Sequence, residues 1–428
     1  MKKSLFTLLG IFFIGSVYTQ EQQILSLTSE QIEALFLQQN LQLIAEKMNV
    51  DIADAAIAQA KLWDNPELSI GEVGFWSTEK QRKGETVPPL FSSSGQNTQF
   101  TVELSQMILT ANKRGKRVGM EKTSKEIVIQ EFEETLWGLK TELRKLIHEL
   151  LYLQSYKEVI LNQAQSIELL IAAYKKQVEQ GNIAKTELLR LQSEYLELEN
   201  EKNEISISLN EQQKWLKSLL NATPTVTIRI DDDGTVAGES KLLSLQELLQ
   251  TAIDSRPDVK RSDLQTQYFK KTLSYEKAMR APDITLNAAY NRYGGEWKNF
   301  VGFGLSFDLP LLNRNQGNIR AAKIGIDQSN YLFQQHKNSV QHEVVEAYQN
   351  YTQAYDFYQK ISQNELLSEL DQMLDSYTKN LLNRNVSMLE YLDFLNAYKM
   401  NKQTLLTSYK NVTAFWDELQ YIIGREIK

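Results

Sequence analysis

Three histidines, no cysteine and 54 carboxylates are the main metal-ligating side chains of this 428-residue chain. His148, His336 and His342 fall at no ligand spacing, so no dedicated metal site is expected. Asp231-Asp232-Asp233-Gly234 resembles the start of a calcium loop. Its glycine sits at the wrong offset and the terminal glutamate is missing, so a polar turn is the expectation. Asp371 and Asp375 stand one helical turn apart, and Lys113-Arg114-Gly115-Lys116-Arg117 concentrates positive charge. The chain has no glycine-rich phosphate loop, no nucleophile motif and no cofactor fingerprint. It is therefore not read as an enzyme, and no cofactor is expected. A net charge of -7 makes nucleic acid a poor partner.

Long helices must carry these groups. From Phe132 to Val178 apolar residues recur with 4-3 spacing, through Leu136, Leu139, Leu143, Leu146, Leu150, Leu153, Ile160, Ala164, Ile167, Ile171 and Tyr174, with Lys157 as the one break. That period predicts a left-handed coiled coil within a helix from about Lys113 to Gln180, roughly 100 Å long. A return stripe follows in Leu188, Leu191, Tyr195, Leu198, Lys202, Ile205 and Leu209. A second pair of stripes runs from Val340 to Ile361 and from Met388 to Ile423. Gly181-Asn182 and Asn383-Arg384-Asn385 mark the reversals, because Gly and Asn tolerate the left-handed backbone. The basic cluster is expected to be solvated charge with some structural pairs.

The two hairpins belong to a repeated text. Tyr174 to Leu196 aligns without a gap on Tyr377 to Lys399 with six identities in 23 positions, and Pro66-Glu67-Leu68-Ser69-Ile70 matches Pro282-Asp283-Ile284-Thr285-Leu286 in pattern. The halves are read as 20–220 and 242–428, joined by a linker at 221–241 that holds the β-like run Thr225–Ile230. Residues 1–19 read as a secretory signal peptide: two lysines, then an apolar run from Leu5 to Val17 too short to span a bilayer comfortably.

Four segments alternate as strands, at about 66–76, 98–108, 282–293 and 299–309. Val301, Phe303, Leu305, Phe307 and Leu309 share one face; Gly302, Gly304, Ser306 and Asp308 share the other. A slip in phase near Gly71-Glu72 predicts a bulge. A soluble sandwich would bury the apolar face, whereas an outer-membrane barrel would turn it to lipid. Export, the polar stretch Ser77 to Gln96 and the aromatic residues Phe75, Trp76, Tyr290, Tyr293, Trp297 and Phe300 favour the barrel. Four strands cannot close one, since barrels need at least about eight. Open edges in lipid are costly, so several copies must share the sheet.

On this basis the chain resembles the TolC-type outer-membrane efflux channels, over essentially all of its mature length. Asp308-Leu309-Pro310-Leu311-Leu312-Asn313-Arg314-Asn315-Gln316-Gly317 is similar to the strand-to-helix junction of the cation-efflux branch, with Pro310, Arg314, Asn315, Gln316 and Gly317 as its motif residues. Ser255-Arg256-Pro257-Asp258-Val259 and Thr186-Glu187-Leu188-Leu189 resemble two further family segments. The resemblance implies a mainly α fold with a small β part: a homotrimer whose helical hairpins form an α-barrel and whose strands form one shared twelve-stranded barrel. It further implies an exit duct of a tripartite pump for passive export of small solutes or metal cations, in contact with outer-membrane lipid, a periplasmic adaptor and an inner-membrane pump of the RND type. Many metal-efflux relatives carry an N-terminal lipid-bearing cysteine; this chain has none, so it is expected to be unlipidated. The tips Gly181, Asn182, Arg384 and Asn385 are the expected adaptor contact, and Asp371 and Asp375 would form carboxylate rings near the tunnel entrance. A passive duct needs no binding site for its cargo. A type I secretion-type duct for proteins and a structural periplasmic coiled-coil protein are the alternatives.

Overall fold

The computed structural model describes residues 24–71, 73, 99–231, 244–292, 299–363 and 369–427. The signal peptide, the 77–96 stretch, Phe75, Trp76, Tyr293, Trp297, Asp232, Asp233, Gly234 and the bulge position at Glu72 lie outside the described residues. Two compact units divide the chain, and each draws on both halves of the sequence. No described helix is long and apolar enough to cross a membrane.

The unit formed by Leu41–Thr141, Ala237–Asp356 and Phe415–Lys428 holds the larger sheet. Its strands are β2 (Glu67–Gly71), β3 (Phe100–Ile108), β5 (Ile284–Arg292) and β6 (Asn299–Ser306), antiparallel throughout in the order β2-β3-β5-β6. Both end strands therefore keep an edge with no partner strand among the described residues. Register aligns Ile70, Val102, Tyr290 and Val301 in one cross-strand row and Leu68, Leu104, Ala288 and Phe303 in the next. These rows make one apolar face, and Phe303 on it is 86% exposed. The expected alternation through Leu309 is longer than the strand: β6 ends at Ser306. Its partner β5 starts at Ile284, just after Asp283, whose carboxylate meets Lys113 Nζ at 2.7 Å and accepts from the Thr110 amide at 2.9 Å.

Besides α5 (Leu245–Ser255), four helices of this unit follow the same order as the strands. They are α2 (Leu41–Ala60), the first part of α3 (Lys113–Glu179), α6 (Pro257–Ala278) and α7 (Gln316–Ser362). Lys125 ties α3 to Asp54 on α2 at 2.7 Å, and Arg261 ties α6 to Glu134 on α3 at 3.0 Å. Gly325 lets α7 approach the Phe269 ring of α6, where an added Cβ would lie 2.7 Å from it. The end helices α2 and α7 both carry exposed apolar residues: Leu41, Ile44, Met48 and Ile52 on α2, and Ile324, Tyr331 and Leu332 on α7.

The Arg256-Pro257-Asp258 segment knots this unit together. Pro257 opens α6, where its missing N–H costs no helical bond. Arg256 bonds Asp258 through Nη2 at 2.6 Å and Nε at 3.0 Å, Glu343 of α7 at 2.6 Å, and the carbonyl of Ile422 at 3.2 Å. That carbonyl belongs to α9 (Met388–Ile423), whose C-terminus ends on Gly424 at φ 72 with the Arg256 backbone packed against its Cα.

The other unit, Met1–Asn40, Glu142–Val236 and Phe357–Ala414, is a helical core. It joins the second part of α3 to α4 (Lys185–Leu219), α8 (Leu370–Leu382) and the first part of α9, beside α1 (Ser29–Gln39). Leu143, Leu150, Leu153, Ile160, Ala164, Ile167 and Tyr174 of the expected α3 stripe are buried. The burial is wider than a two-helix coiled coil provides: Ile147, Tyr156, Val159 and Leu170 form a second stripe. The cause is a third partner, since Gln163 Nε2 donates to the Leu395 carbonyl of α9 while Tyr156 donates to Glu201 of α4. The helix of the Val340–Ile361 stripe, α7, stops at Ser362, and the residues before the Asn383 reversal, Asp371 and Asp375 among them, lie on a separate helix, α8, that begins at Leu370. Thr225–Ile230 becomes β4 (Thr227–Asp231), paired in parallel with β1 (Ile24–Thr28), a strand that the local pattern does not announce. Gln213 of α4 bonds both the N–H and C=O of Ile228 and so covers part of the β4 edge.

Burial alone would raise the Asp258 carboxyl, but the bonds and charge of Arg256 outweigh it and hold the group below its ordinary value. Its stabilising contribution is therefore complete above the ordinary range near pH ~4 and is lost as pH falls through the folded-state value. Asp258→Asn should flatten the loss of Tm in detergent below about pH 4, measured as Tm against pH beside the parent chain.

Candidate functional site

Both hairpin reversals are built by the same local chemistry. At the end of α3, Gly181 takes φ 76, its N–H donates to the Val178 carbonyl at 3.0 Å, and the Asn182 N–H donates to the Gln177 carbonyl at 2.9 Å. At the end of α8, Arg384 takes φ 61 and donates to the Leu381 carbonyl at 3.1 Å, while Asn385 donates to the Asn380 carbonyl at 2.8 Å. These are two Schellman caps. Glycine fills the left-handed position without strain in the first; arginine fills it in the second at a cost of about 1 kcal/mol. The guanidinium is put to use there, for Arg384 Nη2 reaches Gln177 Oε1 at 3.4 Å and the Asn182 carbonyl at 3.5 Å. The four tip residues singled out from the sequence thus lie together in one unit.

The return helices start differently. Ser387 and Glu390 bond each other reciprocally before α9, with Glu390 Oε2 accepting from the Ser387 amide at 2.8 Å. Before α4 the cap position is Ala184, whose side chain offers no bond. The second hairpin is further locked by Tyr391, which shares a buried hydroxyl contact with Thr378 at 3.2 Å and is pushed up to about 12 by burial.

Asp371 and Asp375 are both exposed on α8, one turn apart. Asp371 lies in the first turn of that short helix. It accepts from Lys402 Nζ at 2.6 Å and from the Tyr398 hydroxyl at 2.7 Å. Partial burial works to raise its carboxyl, and these two bonds outweigh that and lower it. Its side chain is still 63% exposed, so the pair is weakly stabilising. Asp375 has no ion-pair partner among the described residues. Lys402 explains why a lysine stands in the apolar stripe of α9: its stem packs while its charge meets Asp371.

The junction motif is a turn scaffold. Asn315 holds φ 55 just before α7, with its side-chain amide on the Glu276 carbonyl at 2.9 Å and on Glu276 Oε2 at 2.5 Å. Arg314 Nε donates to the Pro310 carbonyl at 3.2 Å, and Gln316 Oε1 accepts from the Arg314 amide at 2.8 Å. Gly317 follows within the helix with open space around it. At the corresponding point before α3, Asn112 also takes a positive φ, 56. There Lys113 makes one of the expected structural pairs: its side chain is 5% exposed, with Nζ 2.7 Å from Asp283 and donating to the Ala281 carbonyl at 2.7 Å. Arg114 stacks on Trp63, 3.8 Å from the ring centroid.

Among the described residues no three His, Asp or Glu side chains converge as metal ligands. His336 Nε2 lies 3.1 Å from Asp258 Oδ2, outside hydrogen-bond geometry, and His342 is exposed. What the geometry offers is a lipid-compatible sheet face with open edges and a pair of helical tips.

The sequence pattern of the Outer membrane efflux protein family matches residues 32–235 and 248–425. The chain is similar to the cobalt-zinc-cadmium resistance protein CzcC of Cupriavidus metallidurans, 23% identical over 304 residues, a match that spans 69% of this chain and 66% of that relative, just under two thirds. In fold it is similar to CusC, whose structures describe transmembrane channel formation, with TM-score 0.71, 18% identity and 93% and 92% of the two chains covered. It is also similar to the outer membrane protein VceC of Vibrio cholerae, with TM-score 0.71, 16% identity and coverage of 92% and 96%. With the family pattern covering most of its length in two segments, the chain belongs to the outer membrane efflux protein family, whose members are efflux channels and not enzymes.

Proposed function

We propose that this channel works as a homotrimer and as the exit duct of a tripartite pump for divalent metal cations. The observation that carries the reading is the four-stranded sheet whose outer strands, β2 and β6, each have an edge with no partner strand among the described residues. In lipid each unpaired backbone group costs several kcal/mol, so the edges must meet other strands. The exposed apolar stripes on α2 and α7 lie on the same two outer elements and call for the same neighbour. An edge of one kind meeting an edge of the other is a head-to-tail contact, which closes into a ring when the rotation allows. Two copies would give eight strands around packed side chains; three give twelve around water.

A relative's name and the family resemblance support the reading of cargo and partners. CzcC is named for cobalt, zinc and cadmium resistance, and the junction motif is of the cation-efflux kind. The tips at Gly181, Asn182, Arg384 and Asn385 are the docking point for a periplasmic adaptor, which in turn meets an RND-type pump in the inner membrane. The signal-like N-terminus supports export to the outer membrane, and a chain without cysteine carries no N-terminal lipid thioether. Threefold symmetry repeats Asp371 and Asp375 as carboxylate rings on the tunnel wall, with Asp375 the stronger contributor because Lys402 offsets Asp371.

Cells lacking the protein should accumulate zinc, cobalt and cadmium and lose tolerance to them; unchanged metal tolerance with lost drug tolerance would assign a drug cargo instead. Reconstituted in planar bilayers, the protein should conduct and prefer cations. Asp375→Ala should lower that preference more than Asp371→Ala does, read from reversal potentials in a salt gradient. Arg384→Gly removes the link between the tips while relieving about 1 kcal/mol of backbone strain. It should raise the fraction of time spent open without lowering Tm; a variant no leakier than its parent contradicts a role for the tips in closure.

A further inference from the structure

The sheet register places two carboxylates on the face opposite the apolar rows. Glu103 of β3 lies between Ser69 and Ala289, and Ala289 lies opposite Gly302. Glu67 of β2 lies opposite Ser105, which continues through Asn287 to Gly304. The rest of this face is Thr101, Asn291, Thr285, the larger apolar Met107 and Phe300, and small residues, with no lysine or arginine among the described residues of the four strands on that side. Glu67 and Glu103 are diagonal neighbours, a spacing of about 7–8 Å that leaves like charges uncompensated. Lys113, which opens the helix after β3, is paired instead with Asp283 and with the Ala281 carbonyl at 2.7 Å. Glu103 has no hydrogen-bond or ion-pair partner among the described residues.

We infer that Glu103, supported by Glu67, sets the ion preference of the membrane-spanning pore, making it selective for cations over anions. The inference rests on the closed-barrel reading above. If the apolar face meets lipid, the Glu103 face meets water, and each added copy repeats the carboxylate at the same height. A ring of like charges between low-dielectric walls concentrates counter-ions and repels co-ions. Its two direct neighbours, Ser69 and Ala289, are too small to cover it, so the charge faces the water that fills the pore. No ion need be held there; the effect is on passage.

The test uses the full-length protein in planar bilayers under a potassium chloride gradient, with oligomeric state checked in detergent. The parent protein should conduct with a potassium preference. Glu103→Gln, nearly isosteric, should lower the K+/Cl- permeability ratio by about twofold or more at similar conductance, and Glu67→Gln should lower it less. Because the chain has no cysteine, Glu103→Cys supplies one thiol whose charge can be set in a single folded sample. A positively charged methanethiosulfonate should push the pore toward chloride, and a negatively charged one should restore the parent preference. Conducting oligomers whose reversal potential ignores both reagents and Glu103→Gln overturn the inference and leave the channel reading intact. A parent protein that never conducts overturns the barrel reading itself.

Discussion

An unfinished sheet in a solvent that cannot hydrogen-bond is the constraint on which this molecule depends. Strands β2 and β6 each end with a row of backbone donors and acceptors that no other described strand of the chain meets. Water would satisfy them; hydrocarbon does not. The apolar rows that run through Leu68, Leu104, Ala288 and Phe303 commit the sheet to hydrocarbon all the same. Assembly is then a condition for the strands to exist in the membrane, and the pore is what assembly leaves in the middle. The helices repeat the strand order and leave apolar stripes on the corresponding outer elements, so one seam satisfies sheet and helices together.

Stability within the single chain comes from a different source. The helical core around α3 is buried on two stripes because α4 and α9 both pack on it. Polar anchors join elements far apart in sequence: Arg256 links the start of α6 to α7 and the end of α9, and Lys113 links the end of β3 to the start of β5. Each is a charge removed from water and repaid by several bonds, an arrangement that fixes position more than it adds net stability. Between the two tips the side-chain contacts are the long ones of Arg384, at 3.4 and 3.5 Å.

Much of this was legible in the sequence. The 4-3 spacing placed α3 and its buried residues, and Gly181-Asn182 and Arg384-Asn385 marked both reversals. Alternation from Asn299 found β6, though the ladder ends at Ser306, three residues before the alternating pattern does. Three things were not legible. Tyr156, Val159 and Leu170 read as ordinary helix positions until a third helix was known to pack there. The break between Ser362 and Leu370 carries no proline or glycine to announce it. Strand β1 pairs with β4 across some two hundred residues, and five residues of mixed polarity give no local hint of so distant a partner. For the site, sequence named Asp371 but not its companion Lys402, which lay hidden as an exception in an apolar stripe.

Native mass spectrometry of the detergent-purified protein asks the central question directly, namely whether a chain with four strands supplies only part of a barrel. A particle of three chains, persisting until the detergent is made denaturing, is the expected result. A stable single-chain particle that still inserts into bilayers would mean that the sheet edges are satisfied in some other way, and would contradict a barrel shared among copies.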